Sequence, residues 1–136
     1  MTASARPPAF VRNADGILSV SGMSLLDIAA QHGAPLYVYS GDGIRSDYRR
    51  FADAVAPAGG AVHFALKSNS ALGVIALLAR AGAGADIVSG GEMARALSAG
   101  IPAEKIVFSG VGKSAQEIAD ALDAGIGQLN AESSQE

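Results

Sequence analysis

The second half of the chain alternates short apolar stretches with helical patterns, and this alternation constrains the fold more than any other feature. The apolar stretches predict strands at 61–66, 86–89, 105–109 and 126–130. The patterns that follow the first three predict helices at 71–80, 91–99 and 114–123. Each strand and its helix take about 20 to 25 residues, which is typical of βα repeats with short connections. The chain is therefore predicted to be an α/β protein.

The predicted strands are apolar along most of their length, as expected for parallel strands that are covered on both faces. Such repeats form either a (β/α)8 barrel or an open, doubly wound sheet. Both folds bind ligands at the carboxyl ends of the strands. The residues at those ends are the first candidates for a site, and they lie at 67–69, 89–92, 109–113 and 130–133.

The first third of the chain has a different pattern. An apolar stretch at 16–20 precedes a helical pattern that begins at Ser24 and ends at His32 and Gly33. The β-branched and aromatic residues at 36–39 predict a strand, and a turn with two glycines then leads into a predicted helix at 44–55.

Composition and charge exclude several classes of function. Hydrophobic residues make up 49% of the chain and charged residues 17%, which is typical of a globular domain. The formal net charge of −3 leaves no basic face for nucleic acid, so we expect no nucleic-acid partner. No apolar run approaches the roughly 20 residues of a membrane helix, and the first residues lack the apolar stretch of a signal peptide. We expect no membrane association.

The residues that usually bind metals are scarce. Cysteine is absent, which excludes disulfides, thiolate metal sites and a cysteine nucleophile. The two histidines, His32 and His63, lie far apart, and neither has a carboxylate cluster at ligand spacing. We expect no metal and a cytoplasmic location.

One glycine-rich loop invites comparison with a nucleotide-binding loop. Residues 110–114, Gly-Val-Gly-Lys-Ser, lie between a predicted strand and a predicted helix. A P-loop requires a further glycine five positions before Gly112, where this chain has Val107 inside the strand. We therefore interpret the segment as a plain loop in which Ser114 caps the next helix.

Two acidic residues near the strand ends have alternative interpretations. In the segment 89–92, Ser-Gly-Gly-Glu, the helix amides could bind an anion, but the pattern alone favours a capping box between Ser89 and Glu92. Asp86 near the start of a buried strand requires a partner or a function, unless the strand is still exposed there.

Lys67 is the candidate nucleophile. It follows an apolar strand, so its stem would lie along apolar walls and its amine would lie where ligands collect. An amine withdrawn from water can attack a carbonyl and form an imine. Position alone favours the alternative of a solvated lysine that ends the strand.

Several segments resemble a known enzyme family. The segment 64–69, Phe-Ala-Leu-Lys-Ser-Asn, resembles the aromatic-Ala-x-Lys-x-Asn motif of the alanine racemase-like, fold type III pyridoxal-phosphate enzymes. The segments 84–93, 106–114 and 129–133, together with 33–39 upstream, resemble the diaminopimelate decarboxylase family. The resemblance runs over nearly the whole chain in the family's order.

The resemblance implies roles for individual residues. Lys67 matches the lysine that carries pyridoxal 5'-phosphate as an internal aldimine. Asp86 and Glu92 match acidic positions that line the cofactor side of the barrel. Ala65 lies two residues before the lysine and would give the cofactor ring room, and Asn69 would orient the loop.

The resemblance also implies an architecture. Residues 41–136 would form the first part, about four βα units, of a cofactor-binding (β/α)8 TIM barrel. Residues 1–40 would form an N-terminal segment that joins a C-terminal β-domain absent from this chain. Since half a barrel leaves an open strand edge at 126–130, we expect the isolated chain to be marginally stable or to self-associate.

The implied reaction is decarboxylation of the amino acid meso-2,6-diaminopimelate to L-lysine, the last step of lysine biosynthesis, in a homodimer. Family members are longer, and their phosphate-binding glycine loop, ring-stacking histidine and distal substrate-binding residues do not occur in these 136 residues. We therefore expect the fragment alone to be inactive.

Two alternatives to this function remain. The first is another fold type III enzyme, such as an ornithine or arginine decarboxylase or an alanine racemase, which segments 89–92 and 109–113 disfavour. The second is a non-catalytic protein that binds the cofactor.

Overall fold

The computed structural model describes residues 9–135 and divides into two compact units, with the division between Ser46 and Asp47. The predicted boundary at residue 40 stays a prediction, and residues 1–8 of the predicted N-terminal segment lie outside the described residues. No helix among the described residues is long and apolar enough to cross a membrane.

The first unit contains a small antiparallel sheet and one helix. Its strands pair in the order β1–β2–β3 and span Phe10–Arg12 (β1), Leu18–Val20 (β2) and Met23–Ser24 (β3). The helix α1 covers Leu25–His32. Ser24 caps it by accepting a hydrogen bond from the amide of Leu26 (3.1 Å), and Gly33 ends it at a φ of +82°. These residues confirm the predicted helix and its bounds.

The strand predicted at 36–39 does not form, and that prediction was wrong. Residues 36–39 pair with no strand among the described residues. Tyr37 is 90% exposed and Tyr39 is 53% exposed, so neither ring packs in a core. Aromatic and β-branched residues favour a strand only where a neighbouring strand and a packing surface exist.

The long helix α2 covers Gly41–Val55 and begins three residues before the predicted start at 44. The side chain of Ser40 accepts a hydrogen bond from the amide of Gly43 (3.1 Å), and its carbonyl accepts one from the amide of Ile44 (3.0 Å). The buried Ser40 therefore stabilises the first turn despite the two glycines there.

The second unit is a run of parallel βα repeats, as the apolar pattern predicted. Its strands are His63–Ala65 (β4), Gly84–Ile87 (β5), Ile106–Phe108 (β6) and Gln128–Leu129 (β7). Its helices are Leu72–Ala81 (α3), Gly90–Ser98 (α4) and Ala115–Ala124 (α5). The strands pair in sequence order, β4–β5–β6–β7, all parallel. Because an open doubly wound sheet reverses its strand order and this sheet does not, the order favours part of a (β/α)8 barrel.

The strand β5 lies two residues earlier than predicted, at Gly84–Ile87 instead of 86–89. Ser89 is taken up by capping α4 and cannot extend the strand. Only glycine fits at position 84 of this strand. A Cβ atom there would lie 2.5 Å from the carbonyl oxygen of Lys105 and would collide with the His63 ring. Asp86 is therefore the third residue of β5, and the prediction that it lies near the start of the strand was wrong.

The core lies between one face of this sheet and the helices α3, α4 and α5. Its largest completely buried side chains are Leu66, Ile75, Ile87, Ile101, Ile106 and Phe108. The opposite face carries the register row formed by Ala65, Asp86, Val107 and Gln128, which are half-buried or exposed. The expectation that both faces are covered is therefore wrong for the described residues, which cover only the helix side.

Candidate active site at the carboxyl edge of the sheet

The predicted site residues Ala65 and Asp86 are neighbours across two strands. They are register partners in the parallel pair β4–β5. Side chains of paired residues point to the same face, and adjacent strands lie about 4.8 Å apart. Both side chains therefore lie on the face that the helices leave uncovered, near the carboxyl edge of the sheet.

Lys67 lies beyond the end of β4, in a 3-10 turn at Leu66–Ser68. The side chain of Leu66, which is completely buried, anchors the turn. Two hydrogen bonds close it: the Ser68 hydroxyl donates to the carbonyl of Ala65 (2.7 Å). The amide of Asn69 donates to the carbonyl of Leu66 (3.0 Å). The Lys67 side chain is exposed. This exposure agrees with the solvated lysine that position alone favoured, because the described residues leave this face of the sheet open and place no apolar walls around the stem.

The segment between Lys67 and α3 is held at two points. The Asn69 side chain accepts a hydrogen bond from the amide of Ala71 (3.0 Å), the residue before α3 begins. The guanidinium of Arg95, on α4, donates to the carbonyl of Ser70 (3.3 Å). These bonds attach the turn that holds Lys67 to the helices α3 and α4, and the part of Asn69 in orienting the loop stays a prediction.

Asp86 has a hydrogen-bonded partner, which sequence reasoning did not identify. Oδ1 of Asp86 accepts a hydrogen bond from the Ser109 hydroxyl (2.6 Å). Oγ of Ser109 in turn accepts one from Nδ2 of Asn130 (3.1 Å). Oδ1 of Asn130 accepts one from Nε2 of Gln128 (2.6 Å). We call these four residues the Asp86 network. The signal in the sequence was that Ser109 and Asn130 each directly follow a strand.

Ser89 and Glu92 fold the start of α4. The Ser89 hydroxyl accepts a hydrogen bond from the amide of Glu92 (3.2 Å), as in the capping interpretation. The Glu92 carboxylate accepts one from the amide of Val88 (2.7 Å) rather than from Ser89, so the prediction of a full capping box was wrong and only its Ser89 half forms. Both side chains are therefore engaged with backbone amides, and the role of Glu92 beside a cofactor stays a prediction.

Glu117 is a structural residue that sequence reasoning missed. Its carboxylate accepts hydrogen bonds from the amide of Gly90 (2.9 Å), the amide of Ser114 (3.0 Å) and the Ser114 hydroxyl (2.9 Å). Ser114 caps α5 as predicted, and Glu117 completes a capping box with it. The bond to Gly90 joins the starts of α4 and α5. These hydrogen bonds hold the pKa of Glu117 below its ordinary value of 4.5, and the bond from the Gly90 amide has the largest effect.

A Glu117→Gln variant is expected to be less stable than the wild type at neutral pH, because an amide oxygen is a weaker acceptor for these donors. The lowered pKa means that the carboxylate stabilises the fold above its ordinary pKa. This stabilisation is lost as the pH falls through the lowered value. Urea unfolding of the full-length wild type and variant over a pH series should show the stabilities of the two proteins converging in acid. Asp123→Asn, on the same helix, is the control, and a difference that persists in acid would contradict the assignment.

The loop at 110–114 is folded by its own lysine. Lys113 is only 8% exposed, its amine donates a hydrogen bond to the carbonyl of Gly110 (2.6 Å), and it lies 5.8 Å from the centre of the Phe108 ring. The loop therefore turns its lysine inward, in agreement with the rejection of a P-loop. Beside it lies an open cleft of about 380 Å³, lined in part by Ile118 and Glu132.

The comparison with protein families decides which family this arrangement belongs to. Residues 42–136 match the pyridoxal binding domain of the pyridoxal-dependent decarboxylases. The chain belongs to this family. The family's cofactor is a pyridoxal, as the motif around Lys67 implied, and the partial-barrel interpretation of the fold is confirmed.

Individual relatives of this decarboxylase domain agree with the resemblance. Diaminopimelate decarboxylase from Pseudomonas fluorescens is 51% identical over 89% of this chain, which spans 29% of that protein. The crystal structure of AQ1208 from Aquifex aeolicus superposes with a TM-score of 0.88 at 42% identity, over 94% of this chain and 31% of that one. The crystal structure of diaminopimelate decarboxylase from M. jannaschii, in complex with L-lysine, superposes with a TM-score of 0.83 at 36% identity. The match covers 87% of this chain and 29% of that one. The chain thus spans about a third of the length of these relatives or less.

Proposed function

We propose that this chain forms the cofactor-anchoring part of an enzyme that decarboxylates meso-2,6-diaminopimelate to L-lysine, with Lys67 as the residue that binds pyridoxal phosphate. The observation that carries the proposal is the position of Lys67 at the carboxyl edge of a parallel sheet whose order is that of a barrel. Active sites of such barrels lie at this edge. The relatives named diaminopimelate decarboxylase support the choice of substrate.

The other lysines of the sequence are poor candidates. The chain has three, Lys67, Lys105 and Lys113. Lys105 lies at the opposite edge, directly before β6, and its amine donates a hydrogen bond to the carbonyl of Gly82 (3.4 Å). Lys113 is buried and its amine is bonded to the carbonyl of Gly110. The Lys67 amine has no hydrogen-bond partner among the described residues, so it alone of the three is available to a carbonyl carbon.

The residues around Lys67 fit a flat, aromatic aldehyde. Ala65 presents only a methyl group on the open face of the sheet. Asp86 supplies a carboxylate in the same register row as Ala65. When bound, pyridoxal phosphate supplies an aldehyde for an amine and a conjugated ring that accepts electrons from the bond that releases CO2. In this proposal Lys67 binds the aldehyde, Ala65 leaves room for the ring, and Asp86 and Glu92 provide negative charge on the cofactor side.

The reaction itself is the test of the proposed activity. The full-length protein with pyridoxal phosphate is expected to release CO2 from meso-diaminopimelate and to form L-lysine in equal amounts. We expect kcat/KM for this substrate to exceed that for L-ornithine or L-arginine by at least about 10²-fold. A preference for ornithine or arginine would replace the substrate assignment and leave the cofactor assignment intact. Covalent binding of the cofactor with no decarboxylation would favour a non-catalytic binding protein.

Two further parts of the proposal rest on the sequence. The homodimer is inferred from the family resemblance. The cytoplasmic location is inferred from the absence of cysteine, which is compatible with a reducing compartment. Sedimentation of the full-length protein at twice its chain mass would support the dimer.

A further inference from the structure

The Asp86 network joins three neighbouring strands at the edge where we place the active site. Asp86 is in β5, Ser109 directly follows β6, and Asn130 directly follows β7. These three side chains are all half-buried. Neither helix capping nor the packing of the core explains why polar side chains from three strands converge here.

The hydrogen bonds of the network have one direction. Gln128 donates to Oδ1 of Asn130 (2.6 Å), which leaves the amide nitrogen of Asn130 as the donor to Ser109 (3.1 Å). Because the Ser109 oxygen accepts that bond, its own hydrogen is available to Asp86, at 2.6 Å. Every donor thus points toward the Asp86 carboxylate. The bond from Ser109 to Asp86 is shorter than the bond from Asn130 to Ser109.

We propose that Ser109 and Asn130 are positioning residues that hold the Asp86 carboxylate in one orientation on the cofactor side of the sheet. The inference rests on the proposed function, because it takes the open face beside Ala65 as the cofactor side. Without the Ser109 hydroxyl, the Asp86 side chain would rotate among its rotamers on a face that the described residues leave open. With it, the carboxylate has a fixed acceptor geometry before any cofactor arrives.

The experiment compares variants of the full-length protein, prepared free of cofactor and titrated with pyridoxal phosphate. The readouts are the Kd, the circular dichroism of the bound cofactor per mole bound, and the melting temperature without cofactor. Ser109→Ala is expected to weaken binding about tenfold, as a lost hydrogen bond to a charged group does. It is also expected to change the circular dichroism, which reports the orientation of the bound ring. Ser109→Thr, which retains the hydroxyl, should restore both.

Three further comparisons separate positioning from general damage. In an Asp86→Asn background, Ser109→Ala should cause less than about a twofold further loss of affinity, since the carboxylate it holds is already gone. Ser98→Ala, at the exposed end of α4, is the matched control and should behave as the wild type. Asn130→Leu should reproduce the effect of Ser109→Ala on the circular dichroism.

The outcomes distinguish this inference from the proposed function. If the wild type forms no covalent adduct at Lys67, both are wrong. If the wild type binds at Lys67 but Ser109→Ala and Asn130→Leu match it in Kd and circular dichroism, the positioning role alone is wrong. It is also wrong if both variants unfold in the absence of cofactor, because the network is then a structural element, or if Ser109→Thr fails to restore binding.

Discussion

Replacing Lys67 with alanine is expected to abolish covalent binding of pyridoxal phosphate and to lower decarboxylation by a factor on the order of 10³ or more. The physical reason is that only an amine can form an imine with the aldehyde, and the amines of Lys105 and Lys113 are held at backbone carbonyls. Lys105 also lies at the opposite edge of the sheet and Lys113 is buried, so neither can substitute for Lys67 at the proposed site.

The measurement is reduction with borohydride after addition of the cofactor, followed by peptide mapping of the label. With three lysines in the chain, the possible labelled sites within it can be resolved completely. Lys105→Ala is the matched control, since it removes an exposed lysine from the opposite edge of the same sheet and should retain the label at Lys67. A label that remains on this chain in Lys67→Ala, or that maps to Lys113 in the wild type, would refute the assignment.

A Lys67→Arg variant separates the amine from the positive charge. The guanidinium keeps the charge but remains protonated and does not form a stable imine. We expect it to lose the covalent label as Lys67→Ala does. Retention of decarboxylation in Lys67→Arg would mean that charge alone matters at this position, and the anchoring role would then be wrong.

The βα repeats could be predicted from the sequence because each repeat carries its own local signals. Apolar strands, Ser114 as a cap, and glycines such as Gly82 and Gly125 after the helices are all local features. Lys67 could be proposed as a site residue for a related reason, since its place after a strand is determined by the same pattern. Local signals failed where a strand depends on a partner, as at 36–39, where the described chain offers none.

The Asp86 network could not be predicted, because it depends on the register of three strands. Ser109 reaches Asp86 only because Asp86 pairs with Val107 and Ile87 with Phe108. A shift of one residue would turn the Ser109 side chain to the other face. The bond from Gly90 to Glu117 is similar, since the two residues lie 27 positions apart and meet only through the packing of α4 beside α5.

The core beneath the site should be the most sensitive part of the second unit, and Phe108 should be its most sensitive position. This side chain is completely buried in the middle of the core, on the face of β6 opposite Val107. Phe108→Ala is expected to lower the free energy of unfolding by about 3 to 5 kcal/mol, through lost apolar burial and the cavity that remains. It would also remove the ring beneath the Lys113 amine.

Phe51→Ala provides the matched control, because Phe51 lies on α2 and is 61% exposed. The same change in side chain should cost less than about 0.5 kcal/mol there. Urea unfolding of both variants of the full-length protein, followed by circular dichroism, measures the difference. Phe108→Leu should recover most of the loss, since it refills most of the cavity with apolar volume. If Phe108→Ala and Phe51→Ala were equally stable, β6 would not be packed against α4 and α5 as described, and the register that brings Ser109 to Asp86 would be wrong as well.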